Sequence, residues 1–276
     1  MRADQIKEIV KSRYAKVALQ SIPCCRTGKS CCGSSGSAED VSKKVGYGDK
    51  DLNSVPEGAN LGLGCGNPVA LASLKEGDVV LDLGSGAGFD AFLAAAKVGT
   101  AGKVIGVDMT PEMIEKAKAN AAKGRFKNVE FKLGEIESLL VSNNEVDVII
   151  SNCVINLSPD KRKVFKEAFR VLKPGGRLMV SDLVLRKHLP EVVRQSVEAY
   201  VGCIAGAIMK DEYLAAISAA GFSDVKVLGE DIYPVELAIT DPIARTIYSD
   251  SGIISDYAKD IFGSVASIKI GAVKPS

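Results

Sequence analysis

Seven cysteines are the first residues in this sequence with the types and spacing to do chemistry: Cys24, Cys25, Cys31, Cys32, Cys65, Cys153 and Cys203. Their number is odd, and Met1 to Val10 carries Arg2, Asp4, Lys7 and Glu8 where a secretory signal needs an apolar run. Reduced thiols in a cytoplasmic protein are therefore expected, pointing to redox or soft-element chemistry more than to structural disulfides. The sole histidine, His188, excludes sites built from several imidazoles and reads as an exposed residue after a strand. No G-x-S-x-G elbow supplies a hydrolase nucleophile. Gly28-Lys29-Ser30 lacks the glycine and the preceding strand of a phosphate loop, since Pro23 stands where that glycine belongs.

The second chemical feature is the run Val79-Val80-Leu81-Asp82-Leu83-Gly84-Ser85-Gly86-Ala87-Gly88. It reads as a buried strand that breaks into a glycine-rich turn and then a helix, the place where open parallel sheets bind nucleotide-like ligands. A dinucleotide site prefers G-x-G-x-x-G with a pyrophosphate on the helix N-terminus. Here the pattern is D-x-G-x-G-x-G, and Asp82 would repel a phosphate while attracting a cationic ammonium. That charge logic favours S-adenosylmethionine, which carries a sulfonium and an amine and no phosphate. Asp108 ends a second strand, Val104 to Asp108, where a carboxylate can accept ribose hydroxyls; nicotinamide sites do the same, so this residue does not discriminate.

The elements needed to hold these residues follow from periodicity. Ile6, Ile9, Val10, Tyr14, Val17 and Ala18 recur at helical spacing, predicting a docking helix with a narrow apolar face. Pro23 to Asp40 has no hydrophobic period and reads as a mobile loop. From Val79 apolar runs alternate with helical stretches, as in a parallel sheet covered on both faces. Strands are expected over 79–83, 103–108, 129–133, 146–152 and 176–183, with helices over 87–98, 111–123 and 160–172. Helices over 190–201 and 210–219 and strands over 224–229 and 267–273 should complete the sheet and add a small lid. The net charge of +1, from 35 basic and 34 acidic residues, supplies no global field for nucleic acid or anionic lipid. No stretch is apolar enough to span a bilayer.

The motifs Asn60 to Pro68 (NLGLGCGNP), the glycine loop, Val107-Asp108-Met109-Thr110 and Ser151-Asn152-Cys153-Val154-Ile155-Asn156-Leu157 together resemble the arsenite methyltransferases, and Lys173-Pro174-Gly175-Gly176 is similar to many class I methyltransferases. The resemblance runs from about Tyr47 through Phe222. It implies an α/β fold of the class I S-adenosylmethionine-dependent type, Rossmann-like, with a mostly parallel seven-stranded sheet. An N-terminal helical, Cys-rich extension (1–46), a cofactor-binding core (47–185) and a small C-terminal α+β region (186–276) are the units expected. The cofactor set would be Tyr47, Asp82, Gly84, Ser85, Gly86, Gly88, Asp108, Met109, Glu135, Ile136 and Asn152, with Gly134 to Ile136 bordering the adenine.

The resemblance further implies that Cys65, Cys153 and Cys203 hold trivalent arsenic, with an N-terminal partner from the Cys31-Cys32 pair. Arsenic(III) is soft, so thiolates can hold it in a pyramid while its lone pair stays free to attack a methyl carbon in line with the departing sulfur. No base is needed. Methyl transfer formally oxidises arsenic, so protein thiols would reduce the product, and thioredoxin or glutathione would restore the resulting disulfide. Other readings stay open from the residues alone: inert buried cysteines, zinc at the N-terminal cluster, whose spacing misses the usual knuckle, a methyltransferase for another small acceptor, and a thiol protein that captures arsenic or a soft metal without catalysis.

Overall fold

The computed structural model describes residues 2–20, 38–232 and 263–276. Its helices are α1 (Ala3–Gln20), α2 (Ala38–Lys44), α3 (Asp49–Ser54), α4 (Pro68–Leu71), α5 (Phe89–Val98), α6 (Pro111–Gly124), α7 (Lys161–Val171), α8 (Glu191–Arg194), α9 (Val197–Val201) and α10 (Lys210–Ala219). Its strands are β1 (Val79–Leu83), β2 (Lys103–Asp108), β3 (Val129–Leu133), β4 (Val146–Asn152), β5 (Leu172–Leu185), β6 (Ser223–Ile232) and β7 (Val265–Val273). They form one seven-stranded sheet in the order β3-β2-β1-β4-β5-β7-β6. The first five strands run parallel, and β7 lies antiparallel to both β5 and β6. Strand order reverses between β1 and β4, opening a crevice at their carboxyl ends.

The β1 sequence, apolar apart from Asp82, fits a strand covered on both faces. Leu81 and Leu83 join a core with Ile149, Phe165 and Leu178, and Val80 packs on the other face with Phe92, Val104 and Val148. The N-terminal helix docks against α6 and α9 as its spacing predicts. Ile6, Ile9, Val10 and Tyr14 pack there in a third cluster, shared with Cys65, Cys153 and Cys203.

Three local expectations are corrected. Ala38, Glu39 and Asp40, expected in the loop, begin α2, whose acidic first turn and basic last turn, Lys43 and Lys44, complement the helix dipole. The rest of that loop lies outside the described residues, as do Cys24, Cys25, Cys31 and Cys32. The helix expected over 190–201 is two short helices, because the Ser196 hydroxyl accepts a hydrogen bond from the Ala199 N–H (3.1 Å) and starts α9 afresh. The strand expected over 176–183 is longer: β5 begins at Leu172, and its pairing jumps from Val146↔Leu172 to Val148↔Arg177 as the Lys173–Gly176 segment bulges out, Gly175 at φ +76°. Among the described residues no helix is long and apolar enough to cross a membrane.

Candidate active site

A cavity of about 560 Å³ opens at the switch point. Its floor is the β1–α5 turn, and its walls are the carboxyl ends of β2, β3 and β4. Lys7, Val10 and Tyr14 of α1 face it from one side, and Val201 to Cys203 from another. Of the residues expected from sequence, Tyr47, Asp82, Gly84, Ser85, Gly86, Asp108, Met109, Ile136, Asn152, Cys153 and Cys203 line it.

Gly88, Glu135 and Cys65 do not. The three loop glycines do different work. A Cβ on Gly84 would run into Val154, and one on Gly88 (φ +96°) would come 2.7 Å from Phe92 Cε2 and 2.9 Å from Phe131 Cζ. Only Gly86 (φ +52°) faces open space, and its N–H donates to Asp108 Oδ2 (3.0 Å). Glu135 pairs with Lys7 at 2.6 Å without reaching the cavity lining; Glu137, paired with the same Lys7 at 3.2 Å and accepting from the Ser158 hydroxyl (2.7 Å), does line it.

Asp82 is 2% exposed, and its Oδ2 has no hydrogen-bond partner among the described residues. Burial holds its pKa well above the usual carboxylate range, and the nearby Asp90 and Asp108 add to the rise. An orphaned acidic oxygen facing a cavity is a socket for a cation, and the ammonium of a methionine moiety fits it. Asp108 is likewise raised by burial, while its oxygens accept the N–H groups of Gly86 and Thr110 (3.0 and 2.8 Å).

Asn152 ties this pocket to the thiols. Its side-chain oxygen accepts the Cys65 N–H (3.1 Å), and its amide nitrogen donates towards Gly66 O (2.8 Å), Tyr47 Oη (2.9 Å) and Asp90 Oδ2 (3.0 Å). Asp90 also accepts the Tyr47 hydroxyl (2.6 Å), and burial raises its pKa to about 6. Asp90 and Glu137 went unassigned in the sequence. Asp90 carried a usable signal as an acid in the first turn after the glycine loop, where its side chain returns over the crevice.

Cys153 follows β4 directly, with its N–H on Ser181 O (2.8 Å). It sits at φ +58° and Cys203 at φ +62°, left-handed conformations that cost about 1 kcal/mol for a residue with a Cβ. The Cys203 thiol donates to Cys153 O (3.0 Å). Cys65 is buried behind the cavity wall, its carbonyl accepting the Ser267 hydroxyl (2.6 Å). The Cys153 thiol is held well above its ordinary pKa, first by hydrogen bonding with Cys203 and Cys65 and then by burial. Burial raises Cys65 as well. Three sequence-distant thiols therefore converge at the crevice, Cys153 and Cys203 on its lining and Cys65 behind it.

A methyltransferase-domain family model matches residues 74–221. The crystal structure of an arsenic (III) S-adenosylmethionine methyltransferase from Chlamydomonas reinhardtii superimposes with a TM-score of 0.61 at 33% identity, covering 88% of this chain and 75% of that one. The chain belongs to the arsenite methyltransferase family. The family has the class I S-adenosylmethionine-dependent fold, and the seven-stranded sheet described above is that fold. An arsenite methyltransferase of Halobacterium salinarum is 47% identical over 234 residues, covering 83% of this chain and 60% of that protein. One from Aquipseudomonas alcaligenes is 38% identical over 242 residues, covering 85% of this chain and 66% of that protein. The chain thus spans about three-fifths to two-thirds of the length of these curated family relatives.

Proposed function

We propose that the chain transfers the methyl group of S-adenosylmethionine to trivalent arsenic held by Cys65, Cys153 and Cys203. The observation that carries this reading is the convergence of the three thiols, Cys153 and Cys203 on strained backbone lining the cavity and Cys65 just behind its wall, beside a floor where Asp82 Oδ2 has no hydrogen-bond partner among the described residues. Bound S-adenosylmethionine supplies an electrophilic methyl carbon. Asp82 takes its ammonium, Asp108 its ribose, and Gly86 leaves room for the methionine chain. Ile136 and Glu137 border the base.

The raised thiols of Cys65 and Cys153 suit arsenite. Each As–OH bond exchanged for an As–S bond returns the thiol proton as water, so raised thiol pKa values are no obstacle. Asn152 fixes the Cys65 loop relative to β4, which reduces catalysis largely to alignment and exclusion of water. Attack through the arsenic lone pair leaves pentavalent arsenic. Two thiols then give up two electrons and close a disulfide, which thioredoxin or glutathione reopens. Cys31 and Cys32 are the proposed source of the partner thiol.

The test incubates reduced protein with arsenite and labelled S-adenosylmethionine and speciates the arsenic. Methylated arsenic is expected, and Cys153→Ser should lower turnover by at least tenfold while sparing cofactor affinity. Absence of any methylated product under reducing conditions would overturn the assignment.

A further inference from the structure

One buried group is unused by that chemistry. Asp182 lies mid-strand in β5 with no exposed surface, and one of its carboxylate oxygens comes within 4.8 Å of both Cys65 Sγ and Cys153 Sγ, which are as close to each other. We propose that Cys65, Cys153 and Asp182 form a binding site for a divalent cation of the zinc class, sharing two sulfurs with the arsenic pocket and adding an oxygen that arsenic does not need.

Three thiolates complete the coordination of arsenic(III), whose lone pair takes the fourth vertex, and an anionic oxygen aimed at that pocket adds nothing to it. Zinc-class cations instead accept mixed sulfur and carboxylate donors in a tetrahedron. Metal–sulfur bonds of about 2.3 Å and metal–oxygen bonds of about 2.0–2.2 Å place such donors roughly 3.5–3.8 Å apart. Side chains already within 4.8 Å of one another reach that spacing by small rotations.

The carboxylate is also oriented as a ligand. Oδ1 accepts from Asn156 Nδ2 and from the Leu183 N–H, both at 2.9 Å, Oδ2 accepts the Tyr213 hydroxyl (2.9 Å), and the Asn156 backbone N–H also points at the carboxylate. Hydrogen bonds of this kind to a ligating carboxylate fix its direction. The nearest cation to act on Asp182 is Lys161, which attracts it through space, while the Lys161 ammonium itself is turned to the carbonyls of Asn156 and Ser158 (3.5 and 3.3 Å). The cation would displace the two thiol protons to solvent, and its fourth position would face the cavity beside Cys153 and take a water. Binding does not depend on the arsenic reading; competition with arsenite does.

The experiment titrates Co2+ into the reduced protein carrying Cys24→Ser, Cys25→Ser, Cys31→Ser and Cys32→Ser. One equivalent should produce sulfur-to-cobalt charge-transfer absorption and tetrahedral ligand-field bands that Zn2+ bleaches. Asp182→Asn should weaken the affinity by about tenfold or more, and Cys153→Ser should remove most of the charge-transfer band. X-ray absorption of the zinc-loaded protein should give two sulfur and two light-atom neighbours, a measurement that needs no substitution at the site. Equal affinities for the parent protein and Asp182→Asn, or a zinc shell of light atoms only, would overturn the proposal. Failure of arsenite methylation would leave it standing.

Discussion

Asp82→Asn separates the charge of the cavity floor from its shape. Asp82 is 2% exposed, lacks a partner at Oδ2, and is repelled by Asp90 and Asp108. A charge-assisted hydrogen bond from a ligand ammonium to such a carboxylate is worth about 1.5–3 kcal/mol, which corresponds to roughly a ten- to 150-fold loss of affinity when the charge is removed. The loss should appear in calorimetric titration with S-adenosylhomocysteine, which carries the ammonium. It should be absent with 5′-methylthioadenosine, which lacks the amino-acid portion. The ligand-free protein should be no less stable than wild type, because an amide replaces two carboxylate repulsions with attractions. Equal weakening of both ligands, or no weakening of the first, would refute the assignment of Asp82 to the ammonium.

Asn152→Ala cuts the links from Cys65 to Tyr47 and Asp90, and leaves Asp90 with one fewer donor. A loss of about 2–4 kcal/mol is expected in denaturant melts, with arsenite affinity falling further than cofactor affinity. Gly88→Ala combines a left-handed φ with a Cβ pressed onto Phe92 and Phe131, so a destabilisation of about 2–3 kcal/mol is expected; an unchanged melting midpoint would contradict it. Burial raises both Asp90 and Asp182 to about 6, above the roughly 4 of an unfolded carboxylate. Their contribution to stability is thus complete below about pH 4 and lost as pH rises through about 6, on the order of 2 kcal/mol for each. Thermal scans of ligand-free protein at about pH 5 and about pH 7.5 should show the higher midpoint at the lower pH, with a smaller difference in Asp90→Asn.

Alternating apolar runs and helical spacing are local properties, and the sequence by itself determined what depends on them: the parallel strands β1 to β4, the docking of α1 through Ile6, Val10 and Tyr14, and the glycine turn between β1 and α5. The acid ahead of the glycine turn, Asp82, was equally legible, because it interrupts an otherwise apolar strand. The break between α8 and α9 was not, because the Ser196 cap prevails over a helical apolar period, and neither was the pairing of Glu135 with Lys7 of a distant helix.

Only the tertiary structure decided which side chains meet. Sheet order places β4 between β1 and β5, and so brings Cys153, the Cys65 loop and Asp182 within a few ångströms although they are far apart along the chain. In the sequence Asp182 is one acid in an apolar strand, and Asn152 one amide in a motif. Their roles come from neighbours supplied by other elements, because a buried polar group must find its partners across the fold once water is gone.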